Sequence, residues 1–254
     1  NLSSDGEDLL VERENVASGT VLTYFWEAPV LDAGDAALLM HLDKRLEYGE
    51  DDDSFNDFSS YGNDGSCSTG ACPVFTVGSK LANAFTFTSP NHYIALPDTA
   101  SLDITTDITL ATWIKTNVDT LQHIIGGYQA TDPFPGYSLA MSIPWLSAGK
   151  VAYWSNVYGA WVEGNTAIAD DKWHHIAVTV SGTTATFYVD GNQDGVVTSA
   201  RPGSYQGVRA IGARADGDYA FTGTLDEIMI VPRALSEEDI KNLYLINTWV
   251  TSDI

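Results

Sequence analysis

The sequence has few basic residues and no long apolar run. Only 12 of its 254 residues are Lys or Arg, against 34 Asp or Glu, which gives a formal net charge of −22. Neutralising phosphates requires clusters of Lys and Arg, so we expect no nucleic acid partner. A spanning helix needs about 18 or more consecutive apolar residues, so we also expect no membrane insertion.

Cysteine is scarce as well. Cys67 and Cys72 stand alone, as Cys-Ser-Thr-Gly-Ala-Cys in a Gly/Ser-rich loop. A zinc site would need two more strong ligands nearby, and no His lies between His41 and His92. We therefore expect a local disulfide, with two buried free thiols as the alternative. Such a bond indicates an oxidising setting and predicts a secreted or cell-surface location.

Catalytic patterns are missing too. Glycoside hydrolysis needs two carboxylates about 5 to 10 Å apart across the sugar, and no Glu-x-Asp-x-x-Glu strand occurs. Asp226 and Glu227 are adjacent, so on a strand their side chains point to opposite faces. No Gly-x-Ser-x-Gly elbow is present. We predict a protein that is not an enzyme, with a glycan-degrading enzyme of unorthodox site as one alternative.

Short strands separated by turn residues fill the chain from Phe85 onward. Residues 173–180 and 184–189 alternate with period two, and Asp190-Gly191-Asn192 supplies a hairpin turn after them. Ser236 followed by three acidic residues predicts an N-capped helix over 236–245. A chain of this length is long enough for one β-sandwich domain.

Several of these segments together closely resemble the laminin-G-like (LamGL) group of concanavalin A-like jelly rolls. In chain order they are His41-Leu42-Asp43, Leu110-Ala111-Thr112-Trp113-Ile114-Lys115, Trp173-His174-His175-Ile176-Ala177-Val178-Thr179-Val180, Thr186-Phe187-Tyr188-Val189-Asp190-Gly191, Phe221-Thr222-Gly223-Thr224-Leu225-Asp226-Glu227-Ile228 and Arg233-Ala234-Leu235-Ser236. The resemblance implies an all-β fold, a concanavalin A-like antiparallel β-sandwich (jelly roll) with one short C-terminal helix.

The predicted domain spans residues 36–247. Residues 1–35 are expected to form an N-terminal extension or linker strand, with a strand-like stretch over 20–26, and residues 248–254 a C-terminal tail. The start at Asn1 without Met leads us to expect a piece of a longer polypeptide.

The resemblance also implies calcium, because concanavalin-like domains often clamp the first loop to a late strand with this ion. Calcium takes six to eight oxygen ligands from carboxylates, amides and carbonyls. The expected ligands are Asp43, Asp57, Asn63 and Asp226. The alternative for Asp226 is hydrogen bonding to backbone amides at a strand start. A second cation near Asp216 and Asp218 is a weaker expectation.

Aromatic residues are dense between positions 128 and 161. Aromatic faces bind pyranose rings while nearby polar groups fix the hydroxyls. The predicted ligand-binding residues are Tyr128, Phe134, Trp145, Tyr158 and Trp161. We expect Trp145 and Trp161 to approach one edge of a sheet, and burial in the core is the competing interpretation.

Together these patterns predict a non-catalytic carbohydrate-binding or adhesion module of a secreted or cell-surface protein, stabilised by calcium. The expected partner is a glycan or cell-surface polysaccharide, with a protein ligand as a second option. A structural or protein-interaction module without a sugar site is the main alternative, since an acidic surface also serves solubility.

Overall fold

The structure is a computed structural model that describes residues 11–15, 20–24, 35–46, 49–80, 82–88, 90–127, 136–203 and 207–249. The elements in chain order are β1 (Val11–Asn15), β2 (Thr20–Tyr24), β3 (Leu38–Met40), β4 (Ser54–Phe55), β5 (Gly65–Ser66), β6 (Val74–Val77), β7 (Asn83–Phe87), β8 (Ile94–Leu96), β9 (Ile108–Lys115), β10 (Gln122–Gly127), β11 (Tyr137–Met141), β12 (Lys150–Ser155), β13 (Ala160–Ala167), β14 (Trp173–Ser181), β15 (Thr184–Val189), β16 (Asn192–Thr198), β17 (Arg209–Ile211), β18 (Gly223–Val231) and α1 (Glu237–Trp249).

Two antiparallel sheets make up the body of the protein. The front sheet has the strand order β13-β12-β11-β10-β17-β8-β5-β4. The back sheet has the order β16-β15-β14-β9-β18-β7-β6, and β3 also pairs with β18. The predicted antiparallel β-sandwich with a C-terminal helix is confirmed.

The core lies between the sheets because alternate side chains of each strand point inward. On the front sheet, Tyr137, Leu139 and Tyr153 are all fully enclosed. Leu110 and Val178 oppose them from the back sheet and belong to the same apolar cluster. The other face of the front sheet is therefore free to carry polar and aromatic side chains.

The predicted hairpin after residue 189 is present. Val189 of β15 pairs with Asn192 of β16, so Asp190 and Gly191 form the turn and Asn192 begins the next strand. Asp190 and Gly191 both have positive φ, 51° and 73°. A two-residue turn with positive φ at both positions matches the right-handed twist of its strands.

The C-terminal helix begins where the sequence predicts. Ser236 Oγ accepts a hydrogen bond from the Asp239 backbone N–H (3.1 Å), and Asp239 Oδ2 accepts one from the Ser236 backbone N–H (2.9 Å). This reciprocal pair is a capping box. The helix runs to Trp249, past the predicted end at 245, and Leu243 packs inward against the back sheet. Across the described ranges, no helix is long and apolar enough to cross a membrane.

The N-terminal segment contains a strand within the stretch predicted at 20–26. Strand β2 pairs with β1 in a two-stranded sheet, with Val11 opposite Tyr24. Where the domain boundaries lie, at 35/36 and 247/248, stays a prediction.

The expected disulfide is present. The sulfurs of Cys67 and Cys72 are 2.01 Å apart, in the loop between β5 and β6.

Candidate functional site

The face of the front sheet that points away from the core, here called the outer face, carries two rows of cross-strand neighbours. One row is Ser138, Trp154 and Trp161, and the other is His123, Ala140, Ala152 and Glu163. Neighbours of this kind are close enough to interact directly across antiparallel strands. Period two along β11 and β12 assigns these residues to the face opposite the core.

Two alanines at the centre of the outer face let Trp161 lie across the sheet. Ala140 and Ala152 are 0% and 1% exposed, and Trp161 packs against the small cluster that they form. The Trp161 ring meets the His123 ring edge to face, with 5.6 Å between centroids. It also contacts Trp154, at 5.7 Å. An indole from the edge strand thus reaches a histidine three strands away.

The segment between β17 and β18 folds over β10. The His123 backbone N–H donates to the Tyr219 carbonyl at 2.9 Å. A Cβ on Gly126 would lie only 2.4 Å from the Ala213 carbonyl oxygen, so glycine permits this close approach. The Tyr219 ring lies 6.1 Å from the His123 ring, and the Arg214 guanidinium stands 4.6 Å from the centre of the tyrosine ring.

Asp216 and Asp218 surround Arg214. Arg214 donates to Asp216 through Nε (2.8 Å) and a terminal nitrogen (2.6 Å), and to Asp218 at 2.8 Å. The cation near these two carboxylates is therefore the guanidinium, and the geometry gives no support to a second metal ion there.

His123 is almost buried and is fixed from one side. Its Nδ1 lies 2.9 Å from Ser138 Oγ, and Ser138 donates its one hydroxyl hydrogen to the Ile125 carbonyl at 2.9 Å. Burial, followed by the positive charge of Arg214, lowers the pKa of His123 to about 3. The imidazole is consequently neutral at physiological pH.

Trp145 lies in the turn between β11 and β12, and it is 70% exposed. This turn is tied to the outer face through Ser147, which donates to both oxygens of Glu163, at 2.9 and 2.7 Å. Lys150 approaches the same carboxylate, at 3.6 Å. Trp161 lies on the edge strand β13, and the Trp145 turn is joined to that strand through Glu163. A shared platform and ligand contact by either tryptophan stay predictions.

The other predicted aromatic residues are placed differently. Tyr158 is 41% exposed in the turn between β12 and β13. This turn follows the Ser155–Ala160 pair, while the Trp145 turn adjoins Lys150 at the other end of the hairpin. Tyr158 is thus separated from Trp145 by the length of the hairpin. Tyr128 and Phe134 lie outside the described residues.

Two of the predicted calcium ligands, Asp57 and Asn63, come together. Asp57 Oδ1 accepts from the backbone N–H groups of Leu39 and Ser59, both at 2.9 Å. Its Oδ2 accepts from Ser59 Oγ (2.7 Å) and from the Asn63 backbone N–H (2.7 Å). The Asn63 amide oxygen accepts from Thr99 Oγ1 at 2.6 Å. Protein donors already surround the oxygens that a metal would need.

The other two predicted ligands contact different groups. Asp43 pairs with Arg45 Nε at 3.2 Å. Asp226 is fully buried; its Oδ2 accepts from Ser79 Oγ (3.3 Å), and its backbone carbonyl accepts from Thr112 Oγ1 (2.9 Å).

The arrangement of these four side chains does not fit a shared calcium site. Calcium prefers oxygens that are free to turn toward it, in sets of six to eight. Across the part of the chain that the structure describes, no group of three or more His, Cys, Asp or Glu is arranged to hold a metal ion. The observed hydrogen-bond donors hold the loop in place without a metal ion. Calcium binding is therefore not shown and stays a prediction.

Asp226 and Glu227 diverge, as expected for adjacent strand residues. The strand is irregular between Asp226 and Met229, and Glu227 has a positive φ of 50°. Glu227 Oε2 lies 2.8 Å from His41 Nδ1, whereas Asp226 is enclosed. The two carboxylates therefore do not serve one bond.

The sequence pattern did not identify His123, Tyr219 or Arg214 as parts of one surface. Period two in β10 was available as a signal, since it places His123 opposite Ile124. The sequence did not show that β17 pairs with β10, and that pairing brings Tyr219 and Arg214 to the histidine.

Comparisons with known proteins agree with this architecture. The family model Laminin_G_3, described as the concanavalin A-like lectin/glucanases superfamily, matches residues 87–241. This match includes most strands of both sheets and the start of the helix.

Solved structures of low sequence identity share the fold. The binding domain of Paraclostridial Mosquitocidal Protein 1 superposes with a TM-score of 0.61 at 16% identity, over 84% of this chain and 52% of that one. The binding domain of botulinum neurotoxin serotype D gives 0.59 at 15%, with the same coverage. The serotype D ligand binding domain in complex with N-acetylneuraminic acid gives 0.58 at 14%, over 84% and 51%. The chain thus spans about half the length of these structures.

Proposed function

Because the chain belongs to the concanavalin A-like lectin/glucanase superfamily, we propose that it is a non-catalytic saccharide-binding module whose ligand lies on the outer face of the front sheet. The observation that carries the proposal is the exposed Trp145, in a turn joined to the edge strand that bears Trp161 and its contact with Trp154. Indole faces bind the apolar faces of sugar rings, and exposed apolar clusters rimmed by polar groups mark binding surfaces.

The polar groups of this face favour binding over catalysis. Hydrolysis requires a free acid and a free base that flank the scissile bond. Glu163 instead accepts two hydrogen bonds from Ser147, and Asp216 is paired with Arg214. These carboxylates hold loops in place, which suits a preformed binding surface.

The similar structures support the class of ligand only broadly. One of them contains N-acetylneuraminic acid, but its identity to this chain is 14% and the chain spans about half of its length. A secreted or cell-surface location belongs to the same proposal, and the Cys67–Cys72 disulfide supports it.

A glycan array probed with the wild-type chain and with Trp145→Ala tests the proposal. We expect selective retention of the wild type and a loss of about 1 to 3 kcal/mol of binding free energy in the variant, the usual cost of removing an anchor aromatic. The melting temperature should stay unchanged because the side chain is 70% exposed. Leu46→Ala is the matched control, since Leu46 is equally exposed, at 70%, and lies outside this face.

Trp161→Ala sharpens the test. Trp161 packs on Ala140 and Ala152, so we expect this variant to lose both stability and binding. Absence of retention on every glycan would contradict the proposal and favour a structural module. Release of shortened glycans would favour an enzyme.

A further inference from the structure

The hydrogen bonding of His123 fixes its tautomer. Ser138 has a single hydroxyl hydrogen, and the Ile125 carbonyl can only accept it. Both observed hydrogen bonds therefore exist together only if His123 Nδ1–H donates to Ser138 Oγ. In a neutral imidazole the other nitrogen, Nε2, is then an acceptor with a free lone pair.

No residue of the described ranges occupies this lone pair. Within the described ranges the one side-chain hydrogen bond of His123 is made by Nδ1, and the residue is 5% exposed. Trp161 and Tyr219 stand beside the ring at 5.6 and 6.1 Å between centroids. Nε2 is therefore a fixed acceptor beside two aromatic rings.

The segment beside His123 carries one guanidinium and two carboxylates. The guanidinium of Arg214 lies over Tyr219, but it already pairs with the carboxylates of Asp216 and Asp218. The chain as a whole carries a net charge of −22, which repels anions. A ligand that donates hydrogen bonds and carries no negative charge matches these groups.

We propose that His123 Nε2 accepts a hydrogen bond from a hydroxyl of an uncharged saccharide whose ring contacts Trp161 and Tyr219. This inference rests on the proposed function and adds a residue that determines specificity and the chemical class of the ligand. A buried site that hydrogen-bonds a hydroxyl discriminates strongly against an analogue that lacks it. The low pKa of His123 keeps the acceptor available throughout the neutral range.

The first experiment compares uncharged and acidic sugars by ligand-observed NMR. The probes are the methyl glycosides of glucose, galactose, mannose and N-acetylglucosamine, set against N-acetylneuraminic acid and glucuronic acid. We expect binding of at least one uncharged glycoside, and binding of the acids at least tenfold weaker. Preference for an acid would overturn the inference while leaving a saccharide-binding function intact. Failure of all six probes, together with an empty glycan array, would overturn both.

The second experiment uses monodeoxy analogues of the glycoside that binds, with the wild type and His123→Phe. The phenylalanine keeps a flat ring between Trp161 and Tyr219 but has no acceptor. We expect one deoxy analogue to bind the wild type about three- to tenfold more weakly than its parent, as for the loss of one hydrogen bond. In His123→Phe the parent and that analogue should bind equally. His174→Phe, the same exchange in the back sheet, is the matched control and should retain the wild-type preference.

A measurement on the wild type keeps the inference testable if His123→Phe does not fold. In protein labelled with ¹⁵N at histidine, Nδ1 of His123 should be protonated and Nε2 unprotonated. Saturation with the glycoside should shift the Nε2 resonance and leave Nδ1 protonated. A protonated Nε2 in the free protein, or an Nε2 resonance that the glycoside leaves unchanged, would overturn the inference, whereas loss of binding in Trp145→Ala alone would still support the aromatic surface.

Discussion

The loop around Asp57 and the outer face of the front sheet both contain clusters of polar side chains. They differ in whether the acceptor atoms of those side chains have protein donors. In the loop, four protein donors occupy the Asp57 carboxylate. On the outer face, His123 uses Nδ1 for a hydrogen bond to Ser138, and no residue of the described ranges donates to Nε2. The difference shows that an acidic cluster is not by itself a site. A candidate site is distinguished by a hydrogen-bonding atom that has no protein partner and is held in a fixed orientation.

The same difference separates the histidines of the chain. His123 and His175 are buried and uncharged, whereas His41 and His174 each pair with a carboxylate, at 2.8 and 2.9 Å. A histidine that is hydrogen-bonded to a carboxylate can carry a proton, because the carboxylate stabilises its positive charge. An unpaired buried histidine must remain neutral, which makes the outer face sensitive to acid.

Acid is therefore expected to produce the largest effect on stability. Burial lowers the pKa of His123 to about 3 and that of His175 to about 4. Below the unfolded value of about 6.5 the unfolded chain takes up these protons first, so stability falls by roughly 1.4 kcal/mol per pH unit for each histidine. Calorimetric melting curves at several values between pH 6.5 and 4.5 should show this decline.

Groups with raised pKa values act in the other direction. Burial opposes protonation of His41, but its hydrogen bond to Glu227 raises the pKa; Asp190 raises that of His174. Their contribution is complete below about pH 6.5 and is lost as the pH rises through their folded values. His123→Phe should make the decline below pH 6.5 shallower. A variant that declines as steeply as the wild type, or a wild type with a constant melting temperature, would contradict the assignment.

Removing the Asp57 carboxylate is expected to give the next largest effect. Asp57→Ala leaves four donors without their acceptor, including the buried Asn63 backbone N–H, so we expect a loss of about 3 kcal/mol. Thermal melts with and without EDTA then separate hydrogen bonding from calcium. If hydrogen bonds alone hold the loop around Asp57, the loss of stability should be the same in both buffers.

A calcium site predicts a different outcome for the same variant. EDTA would then lower the melting temperature of the wild type and have little further effect on Asp57→Ala. Asp53→Ala, which removes an exposed carboxylate from the same acidic segment, is the control and should change stability by less than about 0.5 kcal/mol. An EDTA effect that is absent from Asp57→Ala would show that this loop holds a metal ion.

The fold was predictable where the signals are local. Period two indicates strands β14 and β15, the Asp190-Gly191 turn identifies the β15–β16 hairpin, and Ser236 with Asp239 identifies the start of the helix. The predicted helix ends at 245, whereas the observed helix continues to Trp249, because no Gly or Pro stops it in this stretch. Local signals of this kind need only neighbours in the sequence.

The site was less predictable because its residues meet through strand order. Trp161 reaches His123 across two intervening strands whose outward residues are alanines. Tyr219 reaches the same histidine through the loop that leads from β17 to β18. A single sequence shows which face each residue occupies but not which strands are adjacent. Asp57 and Asn63 lie together in the loop, but the hydrogen-bond donors that fill the Asp57 carboxylate could not be counted from the sequence.

Removing the disulfide is expected to give the smallest effect on stability. It compares a covalent loop closure with the hydrogen-bonded one around Asp57. Cys67 and Cys72 enclose a short loop, much as Asp57 and Asn63 do by hydrogen bonds. In the chain-entropy model, closing so short a loop stabilises the fold by about 2 kcal/mol. Reduction, or the double exchange of Cys67 and Cys72 to Ser, should therefore lower the free energy of unfolding by no more than this, and by less than Asp57→Ala.

Intact-mass analysis after alkylation without reductant should show no labelled thiol. Two alkylated cysteines would remove the bond and with it the support for an oxidising compartment, whereas a loss larger than that of Asp57→Ala would show that the covalent closure, and not the hydrogen-bonded loop, holds this end of the sandwich together.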